Sequence, residues 1–109
     1  MDRPSLPPDV FVRDLKKTAT KYALTAGDLA IWFGRPRATL YSWMFMGHLP
    51  MPDLVLDECV RRLFALQEST AFPVPFTVTK RQRRSYILEA YQDVGRSRVP
   101  KNRPPSHRA

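Results

Sequence analysis

The chain reads as all-α: a small helical domain of about five helices, with a basic C-terminal tail. Three observations predict this. Apolar residues recur at i, i+3 and i+4 in successive stretches, as in Leu29, Ala30, Phe33 and again in Leu40, Trp43, Met44. Glycines and prolines fall between those stretches, where helices end or begin. At 109 residues, the chain supports one small domain plus tails and buries about 60–65% of its unfolded surface.

Residues 1–8 are proline-rich and read as an extended arm. Asp9 is expected to cap a first helix running to about Lys21, with Val10, Leu15, Ala19 and Tyr22 on its apolar side. Thr25 is a natural N-cap for a second helix, and Asp28 stands where a capping box and the helix dipole favour a carboxylate. Gly34 suits the left-handed position that closes this helix. Pro36 falls at or near the first turn of the third helix, where a missing N–H costs nothing. Residues 47–52, with Gly47, Pro50 and Pro52, form a loop. Asp53 then leads a fourth helix to about Gln67, with Leu56, Cys59, Val60, Leu63 and Leu66 inward. A helix at this point argues against a winged design, which would need a β-hairpin. Residues 71–78, with Pro73 and Pro75, read as a short edge strand or a strap. Thr79 is expected to cap a fifth helix over Lys80–Val94, which Gly95 stops. The organisation is thus an arm (1–8), a helical domain (9–68), a strap with a basic amphipathic helix (69–95) and a tail (96–109) read as disordered until bound.

The second and third helices, joined by a glycine turn, spell a central helix-turn-helix. Ala30, Gly34, Leu40 and Trp43 occupy the small, turn and core positions of that motif of roughly twenty residues. Gly47, Pro50 and Pro52 follow. The pattern Leu-Ala-x-x-Phe-Gly-x-x-x-x-Thr-Leu-x-x-Trp-x-x-x-Gly-x-x-Pro resembles the Cro/repressor family of phage and bacterial regulators, over about residues 10–67. It departs from that family at Ala26, where many members have glutamine, and at Arg35-Pro36, where many have Val followed by Ser or Thr. The resemblance implies a three-helix core and double-stranded DNA as the partner. A weaker resemblance, to the small terminase subunits of phages, implies a DNA-packaging role.

Helical geometry selects the residues that would meet DNA. With Leu40, Trp43 and Met44 inward, Arg37, Ala38, Tyr41, Ser42 and Phe45 face outward. Arg37 suits guanine, whose two major-groove acceptors match a guanidinium. Ser42 suits a base edge, Ala38 a thymine methyl, and Tyr41 a phosphate or sugar. Arg35 and Thr39 are placed for backbone phosphates. Trp43 belongs to the core, whereas Trp32 suits either the back of helix two or a partner.

Charge is unevenly placed. Residues 1–79 hold nine Lys/Arg and eight Asp/Glu, a net +1, while residues 80–109 hold nine and two, a net +7. Beside a helix-turn-helix, such asymmetry points to a polyanion, because each cation placed on a phosphate releases counterions. Lys80, Arg81, Arg83 and Arg84 crowd the start of helix five, and Arg96, Arg98, Lys101 and Arg103 follow it. Cations at a helix N-terminus oppose the dipole, a cost that a neighbouring phosphate or partner removes. The stripe Ile87, Ala90, Tyr91 and Val94, with Phe72, Val74 and Phe76 before it, is the expected seam of a homodimer through residues 80–94.

Other chemistries find little support. His48 and His107 lack ligand partners at metal spacing. Gly27 and Gly34 do not make a phosphate loop, and no nucleophile elbow occurs. No catalysis, metal or cofactor is expected. Cys59 lies among apolar residues, as a buried thiol would. No apolar run reaches the ~18 residues of a membrane span, and a cytoplasmic setting, bacterial or phage-encoded, is expected. The transcription machinery, met through Trp32 and Phe45, is an alternative protein partner.

Overall fold

A proline pair starts the first helix. In a computed structural model, which describes residues 6–51 and 53–97, α1 (Pro8–Tyr22) begins with Pro7 at the N-cap and Pro8 at N1. Their fixed φ sets the first turn without a side-chain cap. Asp9 is therefore a first-turn carboxylate and not the cap expected from the sequence. There follow α2 (Ala26–Phe33), α3 (Arg37–Phe45), α4 (Leu54–Glu68) and α5 (Arg83–Ser97), with no strand among the described residues. The all-α expectation of five helices holds, and residues 71–78 form a strap.

Local chemistry fixes most boundaries. The Thr25 hydroxyl accepts from Asp28 N–H at 3.1 Å, and the Asp28 carboxylate accepts from Thr25 N–H at 2.9 Å, a complete capping box. Gly34 closes α2 at φ 65°, its N–H donating to the Ala30 carbonyl. The Asp53 carboxylate takes the Val55 and Leu56 N–H groups at 3.0 and 3.2 Å to start α4. Before α5, Thr79 and Gln82 exchange side-chain-to-backbone bonds at 3.0 and 3.2 Å. These close one turn, and α5 proper starts at Arg83, three residues beyond the expected Lys80. Gly95 does not end α5, which continues to Ser97. A glycine stops a helix only where the backbone turns left-handed, and Gly95 keeps helical φ.

The core sits where α1, α2, α3 and α4 meet. Phe11 is fully buried and meets Phe33 and Trp43 edge-on, with ring centroids 6.1 and 5.7 Å apart. Leu15, Leu29, Leu40, Val60, Leu63 and Leu66 surround them. Truncating such a residue costs about 3–5 kcal/mol. α2 and α3 pack on one another more extensively than any other pair. Phe72, in the strap, wedges between Tyr22 of α1, Trp32 of α2 and Tyr86 of α5.

α5 lies across α2 and α4. Ile87, Ala90 and Val94 are buried there, and Tyr91 is half-buried against Trp32 at 5.0 Å. The stripe expected to pair subunits therefore covers its own domain, packed on α2 and α4, with Phe72 of the strap also against Trp32. Of the strap residues grouped with it, Phe72 is buried, Val74 half-buried and Phe76 exposed.

Candidate nucleic-acid interface

α3 is fastened on one side only. Leu40, Trp43 and Met44 are buried, while Arg37, Ala38, Tyr41 and Phe45 are exposed and Thr39 and Ser42 half-buried. The outward face is the one that the helical spacing selects. At its N-terminal end, the Arg37 guanidinium lies 6.0 Å from the Tyr41 ring centroid, and Tyr41 in turn stands 5.0 Å from Phe45. The exposed face of α3 thus carries a cation beside the Tyr41 ring, with Phe45 next along the helix, groups that hydrogen-bond base edges or stack on sugars and bases.

The cations expected to meet phosphate differ in how far they are already engaged. Arg83 is engaged: its Nε and Nη2 donate to the two carboxylate oxygens of Asp28, both at 2.7 Å. Burial alone would raise the Asp28 pKa. Hydrogen bonds from Arg83 and from Thr25, with the Arg83 charge, outweigh it and hold the carboxyl below its ordinary value. The same contact pushes the Arg83 pKa up. Arg96 also differs from the expectation, since it pairs with Asp93 one turn back on α5. Lys80, Arg81 and Arg84 are exposed. Arg98, Lys101 and Arg103, together with His107, lie outside the described residues.

Arg35 is intermediate. Its Nη2 lies 4.0 Å from Glu58, whose carboxylate is already held by Arg62 at 3.0 and 3.2 Å. The Arg35 Nε is shut off from solvent without a hydrogen-bond partner. Arg35, Arg37 and Arg84 share one open crevice, floored by Gly27, Ala30, Ile31 and Gly34, and no carboxylate lines it. Ala30 is small here beside the crevice, half-buried rather than enclosed.

Sequence reasoning missed the Asp28–Arg83 pair and the crevice that it helps to form. One signal was present: four cations at a helix N-terminus need a nearby anion. For Arg83 that anion is Asp28, a residue assigned from the sequence only to its cap. Trp32 proves internal, its indole N–H donating to the Arg62 carbonyl at 2.8 Å. Cys59 is buried, and burial pushes its thiol pKa up against the pull of Arg35.

A different surface is left apolar. Met46, Leu49, Met51, Leu54 and Val55, between the end of α3 and the start of α4, are all exposed. They belong largely to a run without a charged side chain from Ala38 to Pro52.

Among the described residues, no helix is long and apolar enough to cross a membrane, and no group of His, Cys, Asp and Glu side chains is placed to hold a metal ion. Compared with family models, curated proteins and solved structures, the chain finds no match.

Proposed function

We propose that the protein binds double-stranded DNA in a sequence-dependent way, with α3 as the reading helix, and acts as a transcriptional regulator of the phage or bacterial type. The observation that carries this reading is the one-sided attachment of α3. A short helix pinned by Leu40, Trp43 and Met44 leaves Arg37, Ala38, Tyr41 and Phe45 exposed on its other face, as a helix that enters a major groove requires. The net +7 of residues 80–109 supplies the sequence-independent attraction.

Equilibrium binding to mixed duplexes, measured from low to high salt, tests this. Log K should fall linearly with log salt by about 0.9 per phosphate contacted. A subset of sequences should be retained at salt that releases the rest. Affinity indifferent to salt overturns the reading.

A regulator of this size reads few base pairs alone, and pairing on two half-sites about 34 Å apart extends its site. With the α5 stripe buried, the surface that favours a second copy is Met46 to Val55. Its exposed side chains offer on the order of several hundred Å², approaching the ~800 Å² per partner of a standard interface. Two chains of net charge +8 approach one another with least repulsion through residues 46–55, which hold no Lys or Arg and one carboxylate, Asp53. Leu54→Lys should then convert a dimer to a monomer in light scattering without unfolding it. A wild-type monomer at micromolar concentration overturns this seam.

A further inference from the structure

We propose that Arg35, Arg37 and Arg84 act together as a single clamp for one phosphate group, assembled from the α2–α3 turn, the start of α3 and the start of α5. The DNA reading above supplies a phosphodiester as its source, and the inference rests on that reading to this extent. Arg35, Arg37 and Arg84 line one crevice, and no acidic residue is among its lining residues. Among the described residues, Arg37 and Arg84 form no ion pair. Arg35 makes only a long ion pair with Glu58, at 4.0 Å, and stands against the Cys59 thiol, while its buried Nε donates no hydrogen bond. Like charges gathered around one opening repel, and an anion placed among them removes that repulsion while accepting hydrogen bonds from each. A tetrahedral phosphate, with several acceptor oxygens, suits donors supplied by three separate segments of the chain.

Asp28 and Arg83 are positioning residues for this clamp. Their bond fixes the first turn of α5 against the first turn of α2, and Arg84 is the next residue along. Gly27 keeps the crevice open: a Cβ there would stand 3.9 Å from the Arg37 Cδ and Nε, and ordinary helical φ makes substitution feasible. Gly27→Glu places a carboxylate at a helix N-terminus, where the dipole favours it, and within reach of the clamp. This variant should stay folded while blocking the phosphate from inside.

The test uses the full chain. Inorganic phosphate is titrated while the Nε–Hε signals of the arginines are followed by NMR, and duplex binding is measured in parallel for Arg84→Gln, Arg35→Gln and their double variant. Phosphate should move the Arg35, Arg37 and Arg84 signals along one shared binding curve, and Gly27→Glu should abolish the movement. Each single variant should weaken every duplex by roughly tenfold, the scale of one charge-assisted hydrogen bond. The double variant should lose much less than the product of the two, because both side chains hold the same group. Separate titration curves, multiplicative losses or an indifferent Gly27→Glu overturn the clamp. If wild-type chain fails to bind any duplex while the shared phosphate curve persists, the clamp stands with free phosphate as its source and the DNA reading falls.

Discussion

Arg83 holds Asp28 through two hydrogen bonds of 2.7 Å across 55 residues of sequence. The contact joins the first turn of α2 to the first turn of α5, so one carboxylate serves two purposes. It completes the capping box with Thr25, and it neutralises one of the cations that the dipole of α5 would otherwise disfavour. The basic helix is thereby set beside the turn that leads into α3.

Loss of this pair should be read most clearly as a change in acid stability. Asp28→Asn keeps an oxygen for the Thr25 N–H but removes the charge opposite Arg83. It should cost about 2–3 kcal/mol near neutral pH, less than for a fully enclosed pair because Arg83 is about a third exposed. The folded-state pKa of Asp28 is depressed, so its contribution is complete above the ordinary carboxylate value near 4. It is lost as pH falls through the lower, folded value. Urea denaturation from pH 7 to pH 2 should therefore show the wild type and variant converging at the acid end. Curves that stay parallel would show that the pair does not titrate with folding.

Three glycines should respond to alanine with different signs. Gly34 has φ 65°, and an added Cβ would lie 3.4 Å from the Arg62 Nη1; Gly34→Ala should cost about 1–2 kcal/mol. Gly47 has φ 75° in open space, so Gly47→Ala should cost about 1 kcal/mol from backbone strain alone. Gly95 is helical with nothing within 4 Å, and Gly95→Ala should stabilise by about 0.5–1 kcal/mol. Calorimetry would register each kcal/mol as a shift in Tm of roughly 4–8 °C. A destabilised Gly95→Ala would mean that α5 ends before this residue in solution.

Local rules made most of the helical scaffold legible. Thr25, Asp28, Gly34 and Asp53 each mark a boundary through contacts within three or four residues, and Leu29, Leu40, Trp43 and Leu63 announce their burial by spacing. Long-range choices were not legible. An apolar stripe such as Ile87, Ala90 and Val94 has the same pattern whether its cover is a second subunit or the helices behind it, and here α2 and α4 provide the cover. Asp28 satisfied a local motif fully, so the one signal of a missing anion, the cations before and at the start of α5, did not single it out. The outward face of α3 was legible residue by residue, but the grouping of Arg35 and Arg37 with Arg84 depends on where α5 docks.

Trp32 ties α2 to α4 and α5 at one point. Its indole N–H donates to the Arg62 carbonyl at 2.8 Å, and Arg62 Nη1 donates back to the Trp32 carbonyl at 2.9 Å while its guanidinium lies 4.8 Å from the Tyr91 ring. Trp32→Phe leaves the Arg62 carbonyl without this donor and a small void beside it, a loss of about 1.5–3 kcal/mol. Cys59 lies in the same helix as Arg62 and reports on it. Buried, with its pKa raised, it should resist a disulfide reagent in the wild type and react in step with unfolding. In Trp32→Phe the same modification should come at lower denaturant. Fast modification of the native wild type would contradict its burial.

Arg37 separates reading from mere attraction. It stands at the exposed N-terminal end of α3, stacked beside Tyr41 and without an ion pair among the described residues, so its guanidinium is free to meet two acceptors on one guanine. Arg37→Ala should cost about 1–3 kcal/mol on the preferred duplex and relax the preference at one base pair. Its share in phosphate contact should add a smaller loss common to all sequences. Arg81→Ala, an exposed cation on the turn before α5, should weaken preferred and random duplexes alike. Competition binding with a randomised duplex pool resolves the two effects. If Arg37→Ala lowers affinity for every sequence by the same factor, Arg37 contacts only the backbone, and any base preference must come from other residues.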